Sequence, residues 1–533
     1  MHWADHAAGL LAERESPVRI AAGITPSGEF HIGHLREILT GEMIHRACAK
    51  RGISSEFVFI VDSMDPLRRV YDFLSPDYEE YLGCPLHAIP APDSTGSPDS
   101  ALGSYAEHFL KPFLEALDLI GVRPTLIWNH ESYADGRFEE SIRTAIERRD
   151  DIREIMESRS SRRLDDDWFP YSPLSSTGSL DGVKVTGWED PFVLWRDSNG
   201  AEGRADIRKD DGKLPWRIDW PARWGFLGIT LEPFGKDHAA AGGSYDTGGP
   251  IAILLGHPPP VPIKYEWIVL KGAGAMSSSA GNTVGPIEAL RLVPPEIIRY
   301  LIARSKPGRH IEFDTGSALI EMADEYERQV EKLNESGSQS TAEMANLSRR
   351  KQIAAEVERA RIEYSQVESD DDPIYSVAGV SFRHLALVAQ IRAGDDDVWN
   401  SLRSSEHITG EPSAALVDRL SRMRAWIESD HFPEPFRLRP RRKATEQAKS
   451  KVADEDKKFL SELATMLNEC DWIAASINEC ICDAARENGL RLREAYILLY
   501  WLVLDQNFGP KLAAVLAEMD RNDVFGLLNS ATD

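Results

Sequence analysis

Two histidines that flank a glycine are the residues of this chain with the clearest chemical potential. Residues 25–34 read TPSGEFHIGH, and they follow an apolar run over residues 20–24. In a helix that begins there, His31 and His34 lie on one face, at the end where backbone N–H groups favour phosphate. Imidazole N–H groups can donate to oxygens that gain charge when an α-phosphate is attacked, and Gly33 leaves room for a nucleotide. The pattern predicts an ATP site, although HxxH alone more often marks a helix start with two exposed histidines.

A carboxylate one turn further on adds a negative charge to this predicted site. Glu37 lies three residues beyond His34, so the two side chains are neighbours on a helix. A negative charge beside a nucleotide suits a cationic second substrate. A first-turn glutamate also favours the helix dipole without any ligand, and that is the commoner reason for finding one.

A glycine- and serine-rich segment is the second candidate for phosphate binding. Residues 266–270 read EWIVL and lead into residues 271–282, which read KGAGAMSSSAGN. Backbone amides and hydroxyls in such a loop can hold a triphosphate. Most loops of this composition bind nothing, so the segment gains its weight from sharing a chain with His31 and His34.

The elements that must position these residues follow from the hydrophobic pattern, in which short apolar runs alternate with helical periods. The runs cover residues 20–24, 57–61 and 124–128, and the helices cover residues 35–49 and 105–120. This alternation predicts an α/β fold with a parallel sheet, whose ligands gather at the carboxyl ends of the strands. The histidine segment and Asp62 fall at two such ends.

The same pattern divides the chain into three predicted parts. A Rossmann-like catalytic domain covers residues 1–265, with an inserted β-rich or irregular subdomain at about 158–213, where Ser, Gly, Asp and Pro interrupt the periodicity. Residues 266–330 carry the serine loop and a helical subdomain. Helical periodicity continues through residues 331–533, which we expect to be an all-helical domain.

Composition restricts the class of protein and its partners. The 533 residues carry a formal net charge of −25, which repels nucleic acid unless the charge is uneven. It is uneven, because residues 436–443 read FRLRPRRK and concentrate five cations. The chain has no apolar run of roughly 18 residues and no signal-peptide order at its start. Its five cysteines include no CxxC pair. We therefore expect a cytoplasmic protein without disulfides or structural zinc.

The two phosphate-binding segments together resemble the HIGH and KMSKS motifs of class I aminoacyl-tRNA synthetases. Further segments are similar to the class I lysyl-tRNA synthetases, and the similarity extends over nearly the whole chain. These segments are residues 62–71, 216–224, 233–238, 242–244, 495–500 and 509–512. The resemblance implies an ATP-binding parallel-sheet domain, split by an insertion and followed by a helical anticodon-binding domain. It also implies stem contacts from residues 266–330.

The resemblance assigns roles to matched positions. Catalytic roles fall to His31, His34, Met276, Ser277, Ser278 and Ser279. ATP contacts fall to Thr25, Pro26, Ser27, Gly33, His34 and Ser278. Lysine contacts fall to Gly23, Ser27, Glu37, Trp220 and His238, with Glu37 facing the ε-ammonium. Contacts with tRNA are expected from Arg437, Arg439, Arg441, Arg442 and Lys443, although a solvated basic loop explains these cations equally well.

The implied activity is lysine–tRNA ligation, with ATP and its Mg²⁺, lysine and tRNA(Lys) as substrates. We expect a monomer without a membrane partner. Two alternatives stay open. One is a class I synthetase for another amino acid, such as glutamate or cysteine, which Glu37 and the lack of cysteines near the predicted pocket disfavour. The other is a weak or silent paralogue that binds tRNA or nucleotide without charging it.

The chain departs from the family pattern at two places. The family's serine loop carries lysines where this chain has Ala275 and Ala280. Loss of one charge-assisted contact to the pyrophosphate costs about 3 kcal/mol, or about a hundredfold in rate, unless Lys271 or Lys236 takes its place. Many relatives bind zinc in the insertion through cysteine pairs, whereas residues 171–178 here read YSPLSSTG. Packing rather than a metal is expected to hold the insertion together.

Overall fold

A computed structural model describes residues 1–14, 17–160, 163–270, 274–275, 284–337, 348–368 and 378–532. These residues fold as two compact units. The first contains the described residues of 1–290, 295–313 and 339–373. The second contains those of 291–294, 314–338 and 374–533. The expected serine-loop residues Met276, Ser277, Ser278 and Ser279, together with Lys271 and Ala280, lie outside the described residues.

The described strands all belong to the first unit, where they alternate with helices. The strands are β1 (Val18–Ile24), β2 (Ser55–Val61), β3 (Pro90–Pro92), β4 (Pro98–Ser104), β5 (Thr125–Trp128), β6 (Ser172–Pro173), β7 (Val183–Glu189), β8 (Phe192–Asp197), β9 (Glu202–Asp206), β10 (Gly212–Lys213), β11 (Ile229–Gly235), β12 (Val261–Tyr265), β13 (Ile268–Leu270), β14 (Gly274–Ala275) and β15 (Ile311–Phe313).

The α-helices of the described chain follow in order. They are α1 (Trp3–Gly9), α2 (Leu35–Lys50), α3 (Tyr105–Leu119), α4 (Asn129–Ala134), α5 (Glu139–Glu147), α6 (Arg149–Arg159), α7 (Trp216–Leu227), α8 (Ser244–Leu254), α9 (Pro286–Leu292), α10 (Pro295–Ala303), α11 (Ser317–Gly337), α12 (Arg349–Ser365), α13 (Phe382–Ile391), α14 (Asp395–Ser404), α15 (Ala414–Glu428), α16 (Glu446–Lys449), α17 (Asp454–Glu469), α18 (Ala474–Glu487), α19 (Leu492–Leu504), α20 (Leu512–Glu518) and α21 (Arg521–Thr532). Short 3₁₀ turns cover Ile32–His34, Pro76–Tyr81, Lys236–Ala239 and Glu434–Phe436.

The core of the first unit is a five-stranded parallel sheet in the order β12-β11-β1-β2-β5. The predicted parallel sheet is confirmed, and so are its three predicted strands and the two helices between them. Because every strand runs in the same direction, the residues after β1, β2, β11 and β12 meet at one edge. That edge carries the histidine turn, Asp62 and the 3₁₀ turn with His238.

Helix α2, which follows the histidine turn, packs closely on the sheet. Its Leu35, Ile38 and Leu39 are fully buried. A side chain at Gly41 would place its Cβ 2.6 Å from the ring of Phe57 on β2, so only glycine permits this approach. The close packing fixes the direction of α2, and with it the position of Glu37 relative to β1.

The stretch between α6 and α7 holds an antiparallel sheet, β7-β8-β9, and a short ribbon of β6 with β10. Val193 and Ala205 from this sheet share a buried cluster with Ile142 of α5 and Ile218 of α7. Apolar packing therefore joins the inserted sheet to helices of the first unit. Among the described residues, no group of three or more His, Cys, Asp and Glu side chains is arranged to hold a metal ion.

The second unit is helical throughout its described residues, as the periodicity predicts. Its buried charges are paired: Arg419 of α15 donates to Glu327 of α11 at 2.6 Å, and Glu327 also accepts the backbone N–H of Ala378. No described helix of the chain has the length and apolarity needed to cross a membrane.

We expect the buried side chain of Arg299 to contribute strongly to the free energy of unfolding. Arg299 of α10 is fully buried and donates to Glu42 of α2 at 2.7 Å and to the carbonyls of Ile120 and Tyr364. Arg299→Met leaves three acceptors short of a donor, and we expect a loss of about 3–5 kcal/mol in the free energy of unfolding. Urea unfolding followed by tryptophan fluorescence measures it.

The matched control is Arg196→Met in the inserted sheet. Arg196 pairs with Glu202, and both side chains are 61 % exposed. Its loss is expected to cost at most about 1 kcal/mol. Equal shifts of the two unfolding midpoints would contradict the importance given to the buried arginine.

Candidate active site

The two histidines form a single turn between β1 and α2. His31 caps the 3₁₀ turn Ile32–His34, and the backbone N–H of His34 donates to the His31 carbonyl at 2.9 Å. The ring centroids of His31 and His34 are 4.0 Å apart. The structure thus brings the two imidazoles together at the carboxyl edge of the sheet, in half-buried rather than fully exposed positions.

Hydrogen bonds orient both rings. Nδ1 of His31 accepts the N–H of Gly33 at 3.1 Å, so the proton of the neutral ring must sit on Nε2. Nδ1 of His34 lies 3.1 Å from the His31 N–H and 3.2 Å from the His31 carbonyl. Burial lowers the pKa of His31 to about 4 and that of His34, with a contribution from His31, to about 3. Both rings are therefore neutral hydrogen-bond donors at physiological pH.

The residues before the turn are held by side chains from neighbouring elements. Thr25 donates from its hydroxyl to Asp65 at 2.8 Å. The carbonyl of Ser27 accepts the hydroxyl of Tyr105, and Pro26 between them is buried. These hydrogen bonds fix the conformation of the loop between β1 and the histidines.

Glu37 lies where the sheet and the histidine turn meet. One carboxylate oxygen accepts the backbone N–H of Gly23 on β1 at 2.8 Å, and the other accepts the Tyr265 hydroxyl at 2.7 Å. Burial raises the pKa of Glu37 to about 8, against the effect of these two hydrogen bonds, and the carboxylates of Glu232 and Asp62 raise it further. The arrangement is a partly buried carboxyl group held by two neutral donors among other acids.

The packing around Gly23 leaves room for a side chain. A Cβ there would lie 3.6 Å from Arg223, 3.7 Å from the Ile60 carbonyl and 3.8 Å from Asp62, all ordinary contact distances. The space that a side chain would fill at Gly23 therefore lies on the side of Arg223 and Asp62.

Aromatic rings lie together at the next strand ends. The ring centroid of Trp220 on α7 is 5.4 Å from that of His238 and 5.2 Å from that of Trp216. Trp220 is 2 % exposed, and its indole N–H donates to the carboxylate of Glu232. Burial lowers the pKa of His238. The structure therefore brings Trp220 and His238 together, although most of the Trp220 surface is committed to the core.

The chain that follows the serine-rich segment contacts the histidine turn. The N–H of Ile32 donates to the carbonyl of Val284 at 2.9 Å, directly after the segment. On the preceding side, Val269 of β13 pairs with Ala275. The chain entering and leaving residues 276–283 thus belongs to the same unit as His31. Lys236, one of the expected replacements for the loop lysines, is paired with Glu266 at 2.8 Å.

The basic segment of the second unit is largely paired within that unit. Arg437 and Arg439 contact Glu434, Arg441 lies 3.6 Å from Asp505, and Arg442 lies 3.1 Å from Asp523. Arg442 is 82 % exposed and Lys443 is exposed, whereas Arg437 is half-buried and also donates to two backbone carbonyls. The neighbouring Trp426 and Phe432 are buried, so they do not offer faces for stacking bases.

Several residues of this site were missed by sequence reasoning. They are Tyr265, Glu232, Asp65, Lys213 and Arg223. Glu232 gave one usable signal, an acid inside the otherwise apolar run of β11. The others come from elements far apart in the chain, and only the fold shows which side chain each of them contacts.

Comparison with known proteins agrees with this geometry. A family model described as tRNA synthetases class I (K) matches residues 1–354. Proteins named lysine–tRNA ligase match almost end to end. That of Picrophilus torridus is 35% identical over 99% of this chain and 99% of its own. That of Thermoplasma acidophilum is 36% identical over 98% and 97%, and that of Archaeoglobus fulgidus 37% identical over 96% of each. The resemblance seen in the motifs is confirmed, and the chain belongs to the class I tRNA synthetases of this family.

Proposed function

We propose that the protein is a lysine–tRNA ligase. The observation that carries the proposal is Glu37, a partly buried carboxyl group beside the histidine turn that has neutral hydrogen-bond partners and acidic neighbours. Such a group is costly to ionise unless a cation comes to it. The ε-ammonium of lysine is that cation, and full-length relatives carrying the name of this activity support the choice.

The proposed reaction has two steps. A carboxylate oxygen of lysine attacks the α-phosphorus of ATP, and the bond to the β-phosphate oxygen breaks, giving lysyl-adenylate and pyrophosphate. The 2′-hydroxyl of the terminal tRNA adenosine then attacks the carbonyl carbon, loses its proton and displaces AMP. The enzyme contributes position and charge stabilisation rather than a covalent intermediate.

The histidine turn is proposed to act on the α-phosphate. Neutral imidazoles cannot supply a full positive charge, but Nε2–H of His31 is a fixed donor, and His34 lies beside it. Two donors at a phosphate that gains charge in the transition state lower the barrier without reorganisation. Thr25, Pro26, Ser27 and Gly33 are proposed to border ATP, and Ser278 with its neighbours to contact the phosphates.

The lysine pocket is proposed to lie between β1, α2 and α7. Glu37 pairs with the ε-ammonium, Gly23 and Ser27 line the substrate from the strand side, and Trp220 and His238 form an aromatic wall. Mg²⁺ is proposed to arrive with ATP, because this ion keeps several waters and binds mainly through substrate phosphates.

The helical part of the chain is proposed to bind tRNA. Residues 331–533 form the anticodon-binding domain in this proposal, and residues 266–330 contact the acceptor stem. The candidate phosphate contacts are the exposed cations Arg442 and Lys443, together with Arg439 and Arg441. Arg437 is proposed to stabilise the segment through its hydrogen bonds to backbone carbonyls. We extend the proposal to a monomer that works in the cytosol, where tRNA is charged for protein synthesis.

Charging of total tRNA by the purified protein, with each of the twenty amino acids in turn, tests the proposal. We expect charging with lysine alone. Charging with a different amino acid would move the protein to another specificity. No charging with any of them would favour the silent tRNA-binding alternative, which Ala275 and Ala280 suggest.

Glu37→Gln is the sharpest test of the lysine pocket. Glutamine keeps the shape and accepts one hydrogen bond, but it carries no charge to meet the ε-ammonium. Loss of a charge-assisted contact of about 1.5–3 kcal/mol raises KM for lysine about 10- to 100-fold. Steady-state charging kinetics measure it, and Glu115→Gln on the exposed face of α3 is the matched control. An unchanged KM for lysine would rule out this role for Glu37.

His34→Ala tests the phosphate role of the histidine turn. Removal of one donor to the developing charge is expected to lower kcat about 100- to 1000-fold. The wild-type rate should show no ionisation near pH 6.5, since both rings are already neutral there. The exposed His108→Ala is the control, expected to leave kcat unchanged. A wild-type pH profile that rises or falls near 6.5, and shifts in His34→Ala, would contradict neutral donors.

A further inference from the structure

Lys213 comes from the inserted segment, but its charged end lies at the edge of the central sheet. It ends β10, which among the described strands pairs with β6 and not with the central sheet. Its side chain is 7 % exposed, and Nζ lies 2.5 Å from Oδ1 of Asp65. The other oxygen of Asp65 accepts the hydroxyl of Thr25 at 2.8 Å. A single carboxylate thus links the insertion to the loop that leads into the histidine turn.

The link continues beneath the pocket through alternating charges. Nζ of Lys213 is 3.9 Å from Asp219 on α7, and Asp219 is 3.8 Å from Arg223. Arg223 in turn pairs with Asp62, at the end of β2. Every member except Asp65 is less than a tenth exposed. The chain of contacts therefore ends beside Gly23, the proposed lysine-pocket residue that Arg223 approaches.

The neighbouring backbone holds Lys213 in this position. The N–H of Leu214 donates to the hydroxyl of Tyr133 at 3.0 Å, and that hydroxyl donates to Asp219 at 2.6 Å. Burial by itself raises the pKa of Asp65, but the Lys213 ammonium and the Thr25 hydroxyl hold it below its usual value. Asp65 is ionised as a result, and it accepts from both partners at once.

We propose that Lys213 is a positioning residue for adenylate formation, which acts by holding Asp65 and, through it, the hydroxyl of Thr25 at the edge where ATP and lysine react. The inference rests on the proposed function and assigns the insertion a part in it. A misplacement of about 1 Å in such a loop costs about a hundredfold in rate.

The test compares Lys213→Met with Lys184→Met in lysine-dependent exchange of pyrophosphate into ATP, run with tRNA present. Lys184 belongs to β7 of the same inserted segment and pairs with Asp167 on the surface, so its loss removes a lysine without touching Asp65. We expect kcat to fall about a hundredfold in Lys213→Met, with KM for tRNA unchanged, and no change in Lys184→Met.

Two double variants separate positioning from general damage. In Lys213→Met/Asp65→Asn the amide oxygen still accepts from Thr25 and no buried charge lacks a partner, so kcat is expected to recover at least about tenfold. In a Thr25→Val background, Lys213→Met is expected to cost much less than it does alone, since the group it positions is already gone. Additive losses in that cycle, or no recovery in the double variant, would overturn the inference.

The remaining outcomes are also decisive. If Lys213→Met does not fold, the folded Lys213→Met/Asp65→Asn variant replaces it. A rate of this double variant within about tenfold of the wild-type rate supports the inference, and a lower rate contradicts it. A wild-type protein that exchanges no pyrophosphate contradicts the proposed function itself. An active wild type with an unaffected Lys213→Met contradicts only the role of Lys213.

Discussion

The site depends on the burial of several carboxylates at one edge of a parallel sheet. Glu37, Asp62, Asp65, Asp219 and Glu232 lie there in contact or within electrostatic reach, and the buried cations among them are Lys213 and Arg223. Burial disfavours every uncompensated negative charge. The two cations pair with Asp62 and Asp65 and lie within 4 Å of Asp219, whereas Glu37 and Glu232 accept from neutral donors. Of these two carboxyl groups, Glu37 is the one that directly follows the histidine turn, and it is the group that we propose to receive the incoming positive charge.

The fold produces this distribution because parallel strands end together. Gly23, Asp62, Glu232 and Tyr265 come from four different strands, and the sheet order places those strands side by side. Helix α2 can approach the sheet because Gly41 has no side chain, and this approach brings the Glu37 carboxylate within hydrogen-bond distance of the Gly23 N–H. The histidine turn leads directly into the same helix, so in the proposed function one rigid element positions both the reacting phosphate and the ammonium of lysine.

Sequence reasoning recovered the parts that depend on local pattern. Apolar runs and helical periods located β1, β2, β5, α2 and α3, and the HIGH spacing correctly placed His31 and His34 on one turn. Glu37 could be found because its distance from His34 is fixed by helix geometry. Tyr265 and Lys213 could not be found in this way, since their roles depend on contacts with residues more than a hundred positions away. The sequence also could not show that Trp426 and Phe432 are buried, because an aromatic residue beside a basic run can lie either in a core or on a surface.

Proton release on lysine binding tests the central claim most directly. At pH 7 a Glu37 with a pKa of about 8 is about nine-tenths protonated, while the lysine ε-amine is fully charged. Ion pairing lowers the pKa of the carboxyl group, so binding should expel nearly one proton per lysine. Titration calorimetry in two buffers of different ionisation enthalpy measures this number, with Glu37→Gln as the reference that lacks the group. Release of close to one proton by the wild type and none by Glu37→Gln is the predicted result, and equal release by both proteins would contradict the account.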